Sequence, residues 1–175
     1  EVFTELKEYY KQTSESDTTK ISFYEDTYSL YNLYRFAHYY EEAYGKYIWL
    51  KSGASLVIEH TEAMTVIDVN TGSVLKKKKQ EDTLFYQINR EAAKEIARQL
   101  RLRNISGIIM IDFINMKDTA QKEKLLSLLD SECKKDRVHC NVIDMTALNL
   151  VEMTRSKVRK PLHEQIRSCM KNNRG

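Results

Sequence analysis

"MTVIDVNTGS", residues 64–73, sets a carboxylate inside an apolar run. Val, Ile and Thr in this density favour a β-strand, and the Asn-Thr-Gly that follows favours a turn. Side chains alternate across a strand, so Val66, Asp68 and Asn70 share one face while Thr65, Ile67 and Val69 share the other. An unpaired buried charge is costly, so Asp68 needs a partner, a cation or water. Asp68 and Asn70 therefore form a polar pair at the strand's end, where the Asn-Thr-Gly turn begins.

The same oddity recurs in "GIIMIDFI", residues 107–114, where Asp112 interrupts a second apolar run. Its continuous apolar character predicts a strand buried on both faces. "ASLVIEH" before residue 61 reads as a strand neighbouring the first, and "CNVIDMTAL" and "NLVEMTR" read as two more. Between them, Leu84, Ile88, Ala92, Ile96 and Leu100 recur at helical spacing over 83–103. Asp118 with Gln121 forms a variant capping box opening a helix to about Lys135. Nearer the N-terminus, residues 3–12 read as a short helix, "ISFYED" as a short strand, and 29–44 as one tyrosine-rich amphipathic helix closed by Gly45. That tyrosine spacing favours core or subunit packing over base stacking. Strands alternating with helices give an α/β fold, a mixed β-sheet layered with helices.

Length and composition bound the function. The 175 residues suffice for one domain with a real core, or for a domain with an appendage. A net charge of +3 is too small to identify a nucleic-acid partner by itself. Cys133, Cys140 and Cys169 are odd in number and lack CxxC spacing, which argues against a disulfide framework and for a reducing cytoplasm. No apolar run has the length of a membrane span, and residue 1 onward does not read as a secretion signal. A helical pattern starting at once without Met is expected of a piece of a longer chain.

Both aspartates lie near the C-terminal ends of their strands, where open α/β sheets place their sites. Magnesium takes hard oxygen ligands, often one or two carboxylates with water and substrate phosphate filling the remaining positions. Asp68 and Asp112 suit it, and Asn70 can orient a carboxylate, water or phosphate without adding charge. Spacing alone leaves a turn-capping role open for each aspartate. No Ser/His/Asp or Cys/His arrangement stands out, and the four histidines are scattered.

Three segments, "KSGASLVIEHTEAMTVIDVNTG", "NREAAKEIARQLRLRNISGIIMIDFINM" and "LNLVEMTRSKVRKPL", closely resemble in order and separation the catalytic region of the ribonuclease E/G family of bacterial endoribonucleases. The resemblance extends through "FYEDTYSLYNLY" toward the N-terminus. It implies part of a ribonuclease-H-like subdomain over 1–46, a deoxyribonuclease-I-like catalytic subdomain over 47–162, and a zinc-link tail over 163–175. The family's metal-binding aspartates fall on Asp68 and Asp112, and its supporting asparagine falls on Asn70. The implied activity is magnesium-dependent hydrolysis of single-stranded RNA by a metal-activated water, leaving 5′-phosphate and 3′-hydroxyl ends, in cytoplasmic RNA processing and decay. Manganese is the expected substitute ion. The rival expectation is a non-catalytic RNA-binding or assembly module that keeps the fold.

Arg155 and Arg159, in the segment overlapping the family's basic motif, are the expected phosphate contacts. Lys76 and Lys77, in the lysine run 76–79, are candidates too, though a solvated loop explains that run equally well. The upstream oligonucleotide-binding barrel and 5′-end-sensing region of the family have no counterpart in these residues. Where many relatives carry CPxC, this chain has Cys169 with Asn172 at the partner position. Zinc at Cys169 and a zinc-linked dimer are therefore not expected, and self-association by another surface is left open.

Overall fold

The computed structural model describes residues 2–13, 21–72 and 81–166. The chain divides into two compact units, Glu1–Tyr39 and Tyr40–Gly175. The lysine run, with Lys76 and Lys77, and Cys169 lie outside the described residues.

In the first unit, α1 (Val2–Thr13) matches the expected helix. Residues 21–26 form no strand, contrary to the reading of "ISFYED". The tyrosine-rich stretch is two helices, α2 (Leu30–Leu33) and α3 (Phe36–Tyr44), α3 continuing into the second unit. The break falls at Arg35, whose φ of 49° is left-handed and cannot continue a right-handed helix. The aromatic side chains here are not core: Tyr28, Tyr31, Tyr34, Tyr39, Tyr40 and Tyr44 are all exposed.

The second unit holds a six-stranded mixed sheet. Its strands are β1 (Tyr47–Trp49), β2 (Ser55–His60), β3 (Met64–Asn70), β4 (Gly107–Asp112), β5 (Cys140–Met145) and β6 (Leu150–Arg155), in the spatial order β1-β2-β3-β4-β6-β5. Hairpins join β1 to β2 and β2 to β3, so these pairs are antiparallel. The connection from β3 to β4 runs through α4 (Glu81–Leu102), and a helical crossover lets the two strands run parallel. The helix α5 (Thr119–Cys133) joins β4 to β5, and β6 returns antiparallel to lie between them.

Alternation along each strand decides where the core sits. Leu56, Ile58, Ile67, Val69, Ile109, Ile111, Val151 and Met153 point to one face and are buried with the apolar stripes of α4 and α5 in a single cluster. Each such side chain contributes about 1.5–3 kcal/mol on leaving water. The strand β4 departs from the expectation of burial on both faces, because Ile108 on its other side is half exposed. Among the described residues of this unit the helices cover one face of the sheet, and the opposite face is open, with Ile108, Asp112 and Asn70 exposed.

Local polar contacts fix the ends of these elements. Asp118 caps α5 by accepting the Ala120 N–H at 2.9 Å, while the Gln121 Oε1 has no partner, so the reciprocal half of the capping box does not form. Glu91 on α4 accepts the N–H groups of Lys51 (2.7 Å) and Ser52 (3.2 Å), tying the β1–β2 turn to the helix. Gly72 ends the β3 turn at φ +55°, and a Cβ there would meet the Gly53 carbonyl oxygen of that same β1–β2 turn at 2.7 Å. Gly72→Ala is therefore expected to destabilise the fold by about 1–3 kcal/mol, measured as a lower urea midpoint. An unchanged midpoint would show that the two turns separate freely.

Candidate metal and phosphodiester site

Strand pairing brings the two aspartates together. The parallel β3–β4 ladder places Asp68 directly opposite Asp112, each at the C-terminal end of its strand. Neighbouring strands run about 4.8 Å apart and opposed side chains share a face, so the two carboxylates stand side by side. That face is the open one. Asn70, one strand period on, donates from Nδ2 to Asp68 Oδ2 at 2.7 Å, which holds the carboxylate in one orientation.

Asp112 is braced from behind. The Asn89 side chain, wholly buried on α4, accepts the Ile114 N–H at 3.0 Å and donates to the Ile114 carbonyl at 2.7 Å. These two bonds fix the backbone just beyond Asp112 and satisfy an amide that would otherwise be costly inside the core. Asn89 was not singled out from sequence. The available signal was a polar residue beside Ile88 on the buried side of an otherwise apolar helical stripe.

Burial, and after it the charge of Asp68, pushes the Asp112 carboxyl above its ordinary value. Among the described residues no ion pair relieves either aspartate. The folded chain thus binds the Asp112 proton more tightly than the unfolded chain does. Stability falls as pH rises from the ordinary carboxylate range through the raised value, and the deficit persists at neutrality. Asp112→Asn is expected to raise the melting temperature at pH 7 and to leave it nearly unchanged near pH 3. Calorimetry at both pH values checks this, and an equal gain at both would remove electrostatics as the cause.

The donor set has a definite chemistry. Two adjacent carboxylates oriented by an amide and open to solvent suit a hard, well-hydrated divalent ion, which keeps several waters and uses one or two protein carboxylates. Among the described residues no group of three or more His, Cys, Asp and Glu side chains forms a fuller cage.

The basic candidates lie elsewhere. Gly107 and Arg155 are register partners at the far end of β4, five residues from Asp112, or about 17 Å along the strand. Arg155 is moreover only 4% exposed. Its Nε donates to Asp136 Oδ2 at 2.9 Å, and its Nη1 donates to Asn104 Oδ1 at 3.0 Å and to the Ile105 carbonyl at 2.9 Å. The expected phosphate contact at Arg155 is thereby corrected: its guanidinium is spent inside the protein. Arg159 is exposed and borders a cleft with Arg101, Lys135 and Arg137, at the end of the sheet away from the aspartates.

Residues 1–158 match the profile of the Ribonuclease E/G family. Among curated relatives, the chain is 40% identical over 160 residues to Ribonuclease G of Haemophilus influenzae, covering 91% of this chain and 32% of that protein. It is 41% identical over 145 residues to Ribonuclease G of Escherichia coli strain K12, covering 83% and 29% respectively. With Ribonuclease E of Nostoc sp. the identity is 35% over 162 residues, covering 91% and 23%. The chain thus spans about a third or less of the length of these relatives.

Proposed function

The chain belongs to the ribonuclease E/G family, and from that premise we propose that it carries the catalytic centre of a magnesium-dependent endoribonuclease. The substrate is single-stranded RNA, the products carry 5′-phosphate and 3′-hydroxyl ends, and the setting is bacterial RNA processing and decay in the cytoplasm. Residues 47–162 are read as the deoxyribonuclease-I-like catalytic subdomain and the preceding residues as part of a ribonuclease-H-like one. What supports the reading is the side-by-side placement of Asp68 and Asp112 on an open sheet face. A structural module gains nothing from two like charges in that position.

Asp68 and Asp112 would hold magnesium, with manganese as a substitute, and the ion supplies Lewis-acid polarisation of the scissile phosphate. The chain's own residues do the positioning. Asn70 keeps the Asp68 carboxylate from rotating, and Asn89 keeps the Asp112 backbone in place. The open face admits an extended strand, and no helix among the described residues is long and apolar enough to cross a membrane. Arg159, exposed and away from the aspartates, is proposed as a phosphate contact, and Lys76 and Lys77, which lie outside the described residues, are proposed as further ones.

The test is cleavage of a 5′-monophosphorylated, A/U-rich single-stranded RNA in magnesium at high chain concentration, with EDTA as control. Cleavage that EDTA abolishes supports the assignment. RNA binding without cleavage, in the chain joined to the upstream part of a Ribonuclease G as well as alone, would favour the non-catalytic module instead.

A further inference from the structure

The open face carries more than the aspartates. On β1, Tyr47 and Trp49 are 60% and 73% exposed, while Ile48 between them is buried on the opposite face. Register carries their positions across the sheet. Tyr47 pairs with Val57, Val57 with Asp68, and Asp68 with Asp112, so Tyr47 stands in the aspartates' own row. Trp49 pairs with Ser55 and Ser55 with Asn70, which puts Trp49 in the adjacent row with the amide that orients Asp68. Two strand spacings, about 10 Å, separate these rows' aromatic ends from Asp68 and Asn70.

Single exposed aromatics are ordinary on a protein surface. Two at successive outward positions, level with a carboxylate pair, call for a use. The carboxylates repel a phosphodiester, so part of the grip on a polyanion has to come from groups whose attraction does not depend on charge. Aromatic rings provide it, because every base has a π-face and stacking tolerates any sequence. The span of about 10 Å is one that a neighbouring nucleotide bridges when a phosphate lies at the aspartates. Lys46 Nζ lies 5.8 Å from the Tyr47 ring centroid. Trp49, at the rim of the sheet, also borders the cleft between β1 and α4 whose wall includes Lys94 and Arg98.

We propose that Tyr47 and Trp49 are a base-stacking platform that holds an unpaired nucleobase of the strand whose phosphodiester lies at Asp68 and Asp112. The proposal rests on the nuclease reading of that site and adds a positioning surface to it. It accounts for single-strand selectivity, because a base already stacked within a duplex does not offer its face.

Trp49 is the chain's single tryptophan, so its emission reports on the platform directly. The chain is titrated in magnesium with an A/U-rich oligoribonucleotide, with an abasic strand of equal length, and with the oligoribonucleotide annealed to its complement. Cleavage of the first is followed in parallel. Quenching by the base-containing single strand alone is expected. Trp49→Ala and Tyr47→Ala are expected to raise KM about tenfold with kcat nearly kept, and Trp49→Phe to restore most of the loss. Cleavage by the wild-type chain with equal quenching by the abasic strand would overturn the platform and leave the nuclease reading intact. Base-dependent quenching without cleavage, in the chain alone and joined to the upstream part of a Ribonuclease G, would uphold the stacking surface and remove the nuclease reading. Neither signal would remove both.

Discussion

Asp68→Asn and Asp112→Asn are each expected to lower metal-dependent RNA cleavage by about a thousandfold or more. The magnitude follows from what a metal contributes at a phosphoryl group, several kcal/mol of transition-state charge stabilisation, with each 1.36 kcal/mol worth a factor of ten. An asparagine keeps the volume and offers one neutral oxygen, so the fold is retained while the affinity for a hard cation is lost. The two variants should differ from a general loss of folding in a measurable way. Asp112→Asn removes a charge that burial, and after it the charge of Asp68, disfavours, so inactivity should coincide with equal or greater thermal stability at neutral pH. Single-turnover cleavage of a labelled RNA in magnesium, with melting curves on the same samples, checks both halves. Wild-type rates in both variants would remove the aspartate pair from the mechanism.

The aspartate pair was legible in sequence because a charge inside an apolar β run conflicts with burial, and two such conflicts at matching strand ends point to one place. The helix α4 was legible from apolar periodicity, α1 as a short helix-like stretch, and α5 from the capping chemistry of Asp118. The unmet expectations have local physical causes. A single residue in the left-handed region, Arg35, splits what periodicity reads as one helix, and no side-chain pattern records a backbone angle. An apolar run reads as doubly buried whether helices cover one face of a sheet or both, and Ile108 lies half exposed on the side they do not cover. Residues 47–49 are too few to show alternation, so β1 and its two outward aromatics appear only once pairing with β2 sets their face. Arg155 misled for a related reason. A basic cluster after a strand is consistent with a phosphate contact, whereas its acidic partner, Asp136, lies 19 residues away in the loop before β5.

Arg155→Ala is expected to destabilise the fold by about 3–5 kcal/mol, the range for removing one partner of a buried ion pair. The side chains of Arg155 and Asp136 are 3% and 7% exposed. The guanidinium joins three pieces of chain: the end of β6, the loop before β5 through Asp136, and the α4–β4 connection through the Asn104 side chain and the Ile105 carbonyl. Asn104 sits at φ 48°, in the left-handed region that terminates α4, and its Nδ2 donates to the Arg159 carbonyl at 2.9 Å. Deleting the guanidinium leaves the Asp136 charge and the Asn104 oxygen without it inside the protein. Lysine keeps the charge but cannot reproduce a fork that reaches Asp136 and Asn104 together, so Arg155→Lys should also lose stability. Burial pushes the Asp136 carboxyl up, but the Arg155 hydrogen bond, the Val138 N–H and the nearby positive charges outweigh it and hold the group below its ordinary value. This contribution is therefore present above the ordinary carboxylate range and is lost as pH falls through the depressed value. Asp136→Asn should flatten the acid side of the stability profile. Urea unfolding of the wild type, Arg155→Ala and Asp136→Asn from pH 7 down to pH 3 measures all of this. If Arg155 instead served as a phosphate contact, its alanine variant would keep wild-type stability and show only a weaker salt dependence of RNA binding.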